Sequence, residues 1–194
     1  MSIDIQPPEF KLYELDAVPL FPLPNAVLFP QTTIQLHIFE QRYRRMTEDA
    51  LHDQLPLAIG LIQGTGQRTS TGQPDVHGVV GVGEIVEHER LDDGRFQLNV
   101  RGVGRVRILE ELSVSTPYRQ IRGEHIPDQI DDVEHANLML NTIQNCLFNV
   151  QADSAEVTDV LMRTFKELDD PGAIADVLGA IVFSSTIERQ QMLA

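Results

Sequence analysis

The residues of this 194-residue chain that could do chemistry are one cysteine, six histidines, two lysines and several acidic pairs. Their spacing excludes most of what they could do. A phosphate-binding loop needs a glycine-rich turn ending in Lys-Ser or Lys-Thr, because the lysine neutralises phosphate charge. Lys11 and Lys166 are the only lysines and neither has that context. The same scarcity removes an obvious Ser-Lys pair. Gly64-x-Gly66, Gly81-x-Gly83 and Gly102-x-Gly104 each lack the third glycine of a dinucleotide fingerprint, and the last two sit in strand patterns rather than ahead of a helix. No G-x-S-x-G nucleophile elbow is present. His88-Glu89 starts like a zinc-protease motif, but position 92 holds Asp92 where the second histidine would stand. His37, His52, His77, His88, His125 and His135 form no ligand-like pair on one element. Cys146 has no disulfide partner and falls on an apolar helical stripe, the pattern of an inert thiol. The acidic pairs at 92–93, 131–132 and 169–170 fit a turn and two helix starts. No catalytic residue, metal ligand or cofactor site is therefore expected.

The elements that would position a binding surface are easier to read. Val18 to Pro30 is apolar and uncharged with four prolines. Proline forbids a helix there and predicts a strand at a sheet edge, turning at Pro24-Asn25. Ile34, Leu36 and Ile38 then alternate with Thr33, Gln35 and His37, the period of a half-buried strand. Phe39, Tyr43, Met46 and Ala50 have helical spacing. Leu57 to Ile62 reads as a buried strand, and 64–78 as a long Gly/Ser/Thr-rich loop of the mobile kind. Val79 to Arg90 and Phe96 to Ile108 read as strands about the hairpin turn Asp92-Asp93-Gly94. Gly81 and Gly83 mark a bulge or close backbone approach, and Gly102 and Gly104 a bend. Arg95, Arg101, Arg105 and Arg107 share the polar face of that second strand. Another strand is expected from about Tyr118 to Ile126.

Beyond residue 131 the periodicity is helical. Ala136, Leu140, Ile143, Leu147 and Val150 form one stripe, and Ser154 caps a second helix. Asp170-Pro171 reads as an N-cap followed by proline at the first helical position, with Ile174, Val177, Leu178, Ile181 and Val182 inward. Ser185 to Glu188 has the form of a capping box. The fold class is α+β: a tail or lead-in strand over 1–16, a β-domain over 17–128 with one inserted helix, and a helical subdomain over 129–194. The net charge of −14 disfavours nucleic acid and anionic membrane. With no apolar run of membrane length and no basic-then-apolar start, a cytoplasmic setting is expected.

Several stretches together resemble the N-terminal substrate-binding domain of the Lon (La) ATP-dependent protease. Leu20 to Pro30 is similar to that family's opening LPLxxxVxFP element, and Ile34 to Arg44 to its next strand and first helix. Gly81 to Ile85 and Asp93 to Arg105 resemble its central hairpin, and Asp170 to Asp176 a helix start in its helical part. The likeness spans about 17–192 and implies a PUA-like β-fold with appended helices. It looks like a stand-alone bacterial member without the ATPase and protease modules. The resemblance implies a non-catalytic module that binds unfolded or damaged polypeptide segments, or an ATP-dependent protease partner. Phe21, Leu23, Phe29, Phe39 and Tyr43 are the expected contact residues. PUA-like folds also include RNA binders, so an anion- or RNA-binding face at Arg95, Arg101, Arg105 and Arg107 is the alternative. An enzyme is a third reading, for which no substrate is suggested.

Overall fold

The structure, a computed structural model, describes residues 15–64, 72–149, 168 and 170–194, with the side chains of 144–149 outside the description. Six strands and four helices run β1 (Val18–Leu23), β2 (Thr33–Ile38), α1 (Gln41–Asp53), β3 (Leu57–Leu61), β4 (Val79–Arg90), β5 (Phe96–Glu111), β6 (Arg119–Ile126), α2 (Val133–Asn149), α3 (Pro171–Val182) and α4 (Thr186–Leu193). The sheet order is β2-β5-β4-β3-β1-β6, and β5 also pairs with β6. That extra pairing closes β5, β4, β3, β1 and β6 into a ring, which leaves β2 hanging on the outside.

β5 makes this possible through its length of 16 residues. Its first part, Phe96 to Arg101, pairs with β2, and its last part, Arg105 to Glu111, pairs with β6. The change of partner falls on Gly102 to Gly104, where the sequence predicts a bend. The bulge expected at the glycines of β4 is also present, as a register shift between Val82 and Gly83.

The close backbone approach is there as well. The segment between β1 and β2 crosses these glycines and buries Leu28 and Phe29. A methyl group built on Gly81 would lie 1.8 Å from the Leu28 carbonyl oxygen, and one on Gly102 would lie 2.0 Å from that of Phe29. The crossing is tied down by the Gln31 N–H donating to the Gly102 carbonyl at 3.0 Å and the Gly102 N–H donating to the Thr32 carbonyl at 2.8 Å. Gln31 takes a left-handed φ of 61° to make this turn.

Three apolar clusters follow from the topology. One lies between β2, β5 and α1 around Leu36, Ile38, Met46 and Leu98. A second fills the ring with Leu20, Val80, Val82, Val106 and Ile121. The third is a seam where Leu193 of α4 packs on Val27, Phe29 and Leu61. The Gln190 side chain donates to the Val79 carbonyl at 2.9 Å and fastens α4 to β4.

Four local expectations change. β1 is not an edge strand: it pairs parallel with β3 and antiparallel with β6. Its prolines are accommodated by stagger, since β6 covers Val18 to Leu20 and β3 covers Leu20 to Leu23. Pro19 and Pro22 thus each face one neighbour only, so neither missing N–H interrupts a two-sided ladder. Phe39 lies before α1, off its buried stripe of Tyr43, Met46, Thr47 and Ala50. In α3 the inward face is Ala173, Ile174, Asp176 and Val177, while Ile181 and Val182 are exposed. Ser185 does precede α4, but its side chain makes no capping bond. Asp170 caps α3 as expected, accepting from the Ala173 N–H at 2.8 Å. The expected helix after Ser154, residues 65–71 of the expected mobile loop, and the packing of Cys146 lie outside the description. The far end of that loop is tied by an isolated bridge from Val76 to Ile62, the residue after β3.

Candidate polypeptide-binding edge and the junction beside it

β2 is the one strand of the described sheet with a single partner. Its backbone polar groups alternate in direction. The bond from the Gly102 N–H to the Thr32 carbonyl sets the phase. Ile34, Leu36 and Ile38 therefore turn their N–H and C=O toward β5, and Thr33, Gln35 and His37 turn theirs to the open side. Proteins usually blunt such an edge with charge, proline or a bulge. Thr33 to Ile38 contains neither a charged residue nor a proline.

At the end of this edge stands Phe39, 60% exposed. Its backbone is fixed, because the Arg44 Nε donates to the Phe39 carbonyl at 2.8 Å while an Arg44 terminal nitrogen donates to the Asp93 carbonyl at 3.0 Å on the β4–β5 turn. His37 meets the Phe39 ring edge-on with centroids 6.2 Å apart. The outer face beside the edge is polar. Gln35, Gln97, Asn99, Glu87 and Glu89 line a shallow depression of about 430 Å³, and Glu87 accepts from Asn99 at 2.6 Å.

Of the five apolar residues expected to touch polypeptide, only Phe39 is presented in full. Phe21, Phe29 and Tyr43 are buried, which takes them out of a surface site in this conformation. Phe21 and Tyr43 pack ring to ring at 4.4 Å, and Phe29 lies under α3 beside Gly179. Burial also pushes the Tyr43 hydroxyl pKa above its ordinary value. Leu23 is partly buried against the first cluster.

Of the four arginines of the expected cationic face, Arg101, Arg105 and Arg107 lie at alternate positions of β5 and Arg95 stands just before it, and each is matched by a carboxylate. Arg95 meets Asp93 at 2.6 Å, Arg101 meets Glu84 at 3.3 Å and Arg107 meets Glu124 at 3.7 Å. Arg105 holds two acids, Asp128 after β6 and Asp176 on α3. The arginines are thereby paired, Arg101 and Arg107 across strands, Arg95 within the turn and Arg105 beyond the sheet.

Arg105 makes the junction between the ring and the helices. Asp176 is only 3% exposed, and its Oδ2 has no hydrogen-bond partner among the described residues. Burial, with Asp128 and Asp170 adding to it and Arg105 opposing it, pushes the Asp176 carboxyl up to about 6. In the sequence Asp176 stands out only as the last residue of the helix-start likeness. Its signal was available: it is the only charged residue in the twelve of α3. Among the described residues no group of three or more His, Cys, Asp or Glu is arranged to hold a metal ion, and no helix is long and apolar enough to cross a membrane.

Comparison with known proteins gives a consistent result. The family model of the ATP-dependent protease La (LON) substrate-binding domain matches residues 17–194. The chain is 27% identical over 178 residues to the Lon protease of Anaeromyxobacter dehalogenans (strain 2CP-C), covering 91% of this chain and 21% of that protein. It is 29% identical over 192 residues to the Lon protease of Syntrophus aciditrophicus (strain SB), covering 95% and 23%. This chain thus spans about a fifth of the length of the relatives it matches. In fold it is similar to the N-terminal domain of Mycobacterium avium complex Lon protease, with a TM-score of 0.67, 19% identity and coverage of 92% and 90%. It also resembles a Lon N-terminal domain protein from Xanthomonas campestris, with a TM-score of 0.50, 23% identity and coverage of 85% and 98%.

Proposed function

Because this chain belongs to the ATP-dependent protease La (LON) substrate-binding domain family, we propose that it recognises extended polypeptide segments and does no chemistry of its own. In this reading a segment of an unfolded or damaged protein adds as a further strand along β2. Residues 17–128 supply the recognising β-domain and 129–194 the helical subdomain behind it. Clients so captured would pass to an ATP-dependent protease.

The observation that carries the reading is the uncharged open edge of β2 ending at a pinned, exposed Phe39. Strand addition draws affinity from main-chain hydrogen bonds and selectivity from alternate side-chain contacts. Thr33, Gln35 and His37 offer the bonds, and Phe39 offers an exposed aromatic ring on a fixed backbone. Of the expected contact set, this reading keeps Phe39 and the partly buried Leu23.

The test uses a fluorescent decapeptide in which valine alternates with serine around one phenylalanine. Gln35→Pro removes one outward N–H and leaves the β2–β5 bonds in place, a position where an edge strand tolerates proline. Binding by anisotropy should fall at least about tenfold with little change in melting temperature. Phe39→Ala should weaken binding by about tenfold at unchanged stability, the scale of losing one aromatic anchor. If Gln35→Pro binds the peptide as tightly as the parent chain, strand addition on β2 is wrong.

A further inference from the structure

We infer that the cavity between the ring and α3 is a binding site for a primary ammonium, of the kind a lysine side chain carries. The cavity measures about 190 Å³ and opens beside Pro30 and Gln31, just ahead of β2. Arg105, His125, Asp128, Asp170 and Asp176 supply its ionisable lining. Three carboxylates thus line it with one guanidinium, which Asp128 and Asp176 share while Asp170 caps α3.

One observation beyond the charge count points to a missing donor. Asp176 is buried, spends one oxygen on Arg105, and leaves Oδ2 without a hydrogen-bond partner among the described residues. Buried carboxylate oxygens normally carry partners, and an orphan costs free energy until something donates to it. The acids are also crowded. A methyl group built on Gly172 would lie 2.9 Å from Asp128 Oδ2 and 3.1 Å from Asp170 Oδ2, the oxygen that caps α3, which brings two carboxylates close together at the start of that helix. Asp128 is part-exposed and gives the cavity an opening to solvent. An ammonium brings three donors on a compact charge. A second guanidinium needs more room and a planar partner, and Arg105 already occupies that role. Burial first, and the neighbouring Asp128 and Asp170 after it, raise the proton affinity of Asp176 at the same place.

The site rests in part on the reading of β2 as a polypeptide edge, because a lysine near the Thr33 end of a seated segment is the nearest source of the ammonium. A free amine is the other source, and the experiment separates them. In the first arm methylammonium chloride is added to the chain and compared with sodium chloride and tetramethylammonium chloride at equal ionic strength. Methylammonium alone should raise the melting temperature and move the Asp176 carboxyl carbon resonance. Asp176→Asn should abolish the response, and Asp128→Asn should weaken it should the first variant prove poorly folded. Asp131→Asn with Asp132→Asn, which removes exposed charge outside the cavity lining, should leave it unchanged. In the second arm the serine of the decapeptide nearest the Thr33 end is replaced by lysine or by glutamine. The lysine peptide should bind about tenfold tighter, the order of one charge-assisted hydrogen bond, and Asp176→Asn should erase that difference.

Equal responses to all three salts would overturn the site, since ordinary screening would then explain them. A methylammonium response with no lysine preference would keep the site and assign it to free amines. Failure of the neutral peptide to bind at all would overturn the β2 reading while the first arm still decides the cavity.

Discussion

Gly81→Ala is expected to destabilise the chain more than any other single-methyl addition outside the helices. The new carbon would stand 1.8 Å from the Leu28 carbonyl oxygen, far inside contact distance, and the obstacle is backbone rather than a side chain that can swing aside. Leu28 cannot retreat easily, because it is fully buried and the chain next to it is bonded to Gly102. The crossing must lift off β4 or the ring must open. Overpacking without relief costs about 3 kcal/mol, and loss of the Leu28 and Phe29 contacts would add to it. Gly102→Ala should behave alike, with its methyl 2.0 Å from the Phe29 carbonyl oxygen. Gly78→Ala is the matched control, because nothing lies within 4 Å of the added carbon. Urea unfolding of the three variants checks the ranking, and a Gly81→Ala midpoint near that of Gly78→Ala would refute the crossing geometry.

The second large effect belongs to Arg105→Leu. This substitution leaves Asp176 buried without its counter-charge, and breaking one side of a buried pair costs about 3–5 kcal/mol. The loss should depend on pH in a definite direction. The Asp176 carboxyl is raised in the folded chain to about 6, so between its unfolded value and 6 the folded state holds the extra proton. Its contribution to stability is then fully present below the unfolded value and disappears as pH rises through about 6. Arg105→Leu should therefore be least damaging in mild acid and most damaging above pH about 7. Asp176→Asn removes the titrating group, so the stability of the parent chain minus that of Asp176→Asn should grow as pH falls from about 7 to 4. A flat difference across that range would show that Asp176 titrates normally.

Much of the scaffold was legible because local chemistry fixed it. The five buried residues of β3, the span of β4, the turn at Asp93-Gly94 and the Asp170 cap all follow from patterns that need no distant partner. The paired glycines were legible as an oddity, and the crossing of Leu28 and Phe29 is what they accommodate. Other features depended on which element arrives next. The prolines of β1 argued for an edge, yet a staggered pair of neighbours satisfies the same constraint. Helical spacing placed Phe39 on the buried stripe of α1, but the helix begins at Gln41 and Phe39 stays outside. Parity put Arg105 on a polar face correctly, but parity cannot say that α3 covers that face at one end. Apolar character alone made Phe21, Phe29 and Tyr43 candidates for binding, whereas burial assigns them to packing. Phe39 differs from them only in position, one residue beyond the end of a strand.

The central claim is that β2 offers its open edge to an incoming chain, and amide hydrogen exchange reads this directly. In the free chain the amides of Ile34, Leu36 and Ile38 should be protected by β5, and those of Thr33, Gln35 and His37 should exchange freely. Addition of the alternating valine–serine decapeptide should slow exchange at Thr33, Gln35 and His37 together and leave the other three little changed. Saturating peptide with no new protection at those three amides would contradict strand addition and move the binding surface elsewhere on the molecule.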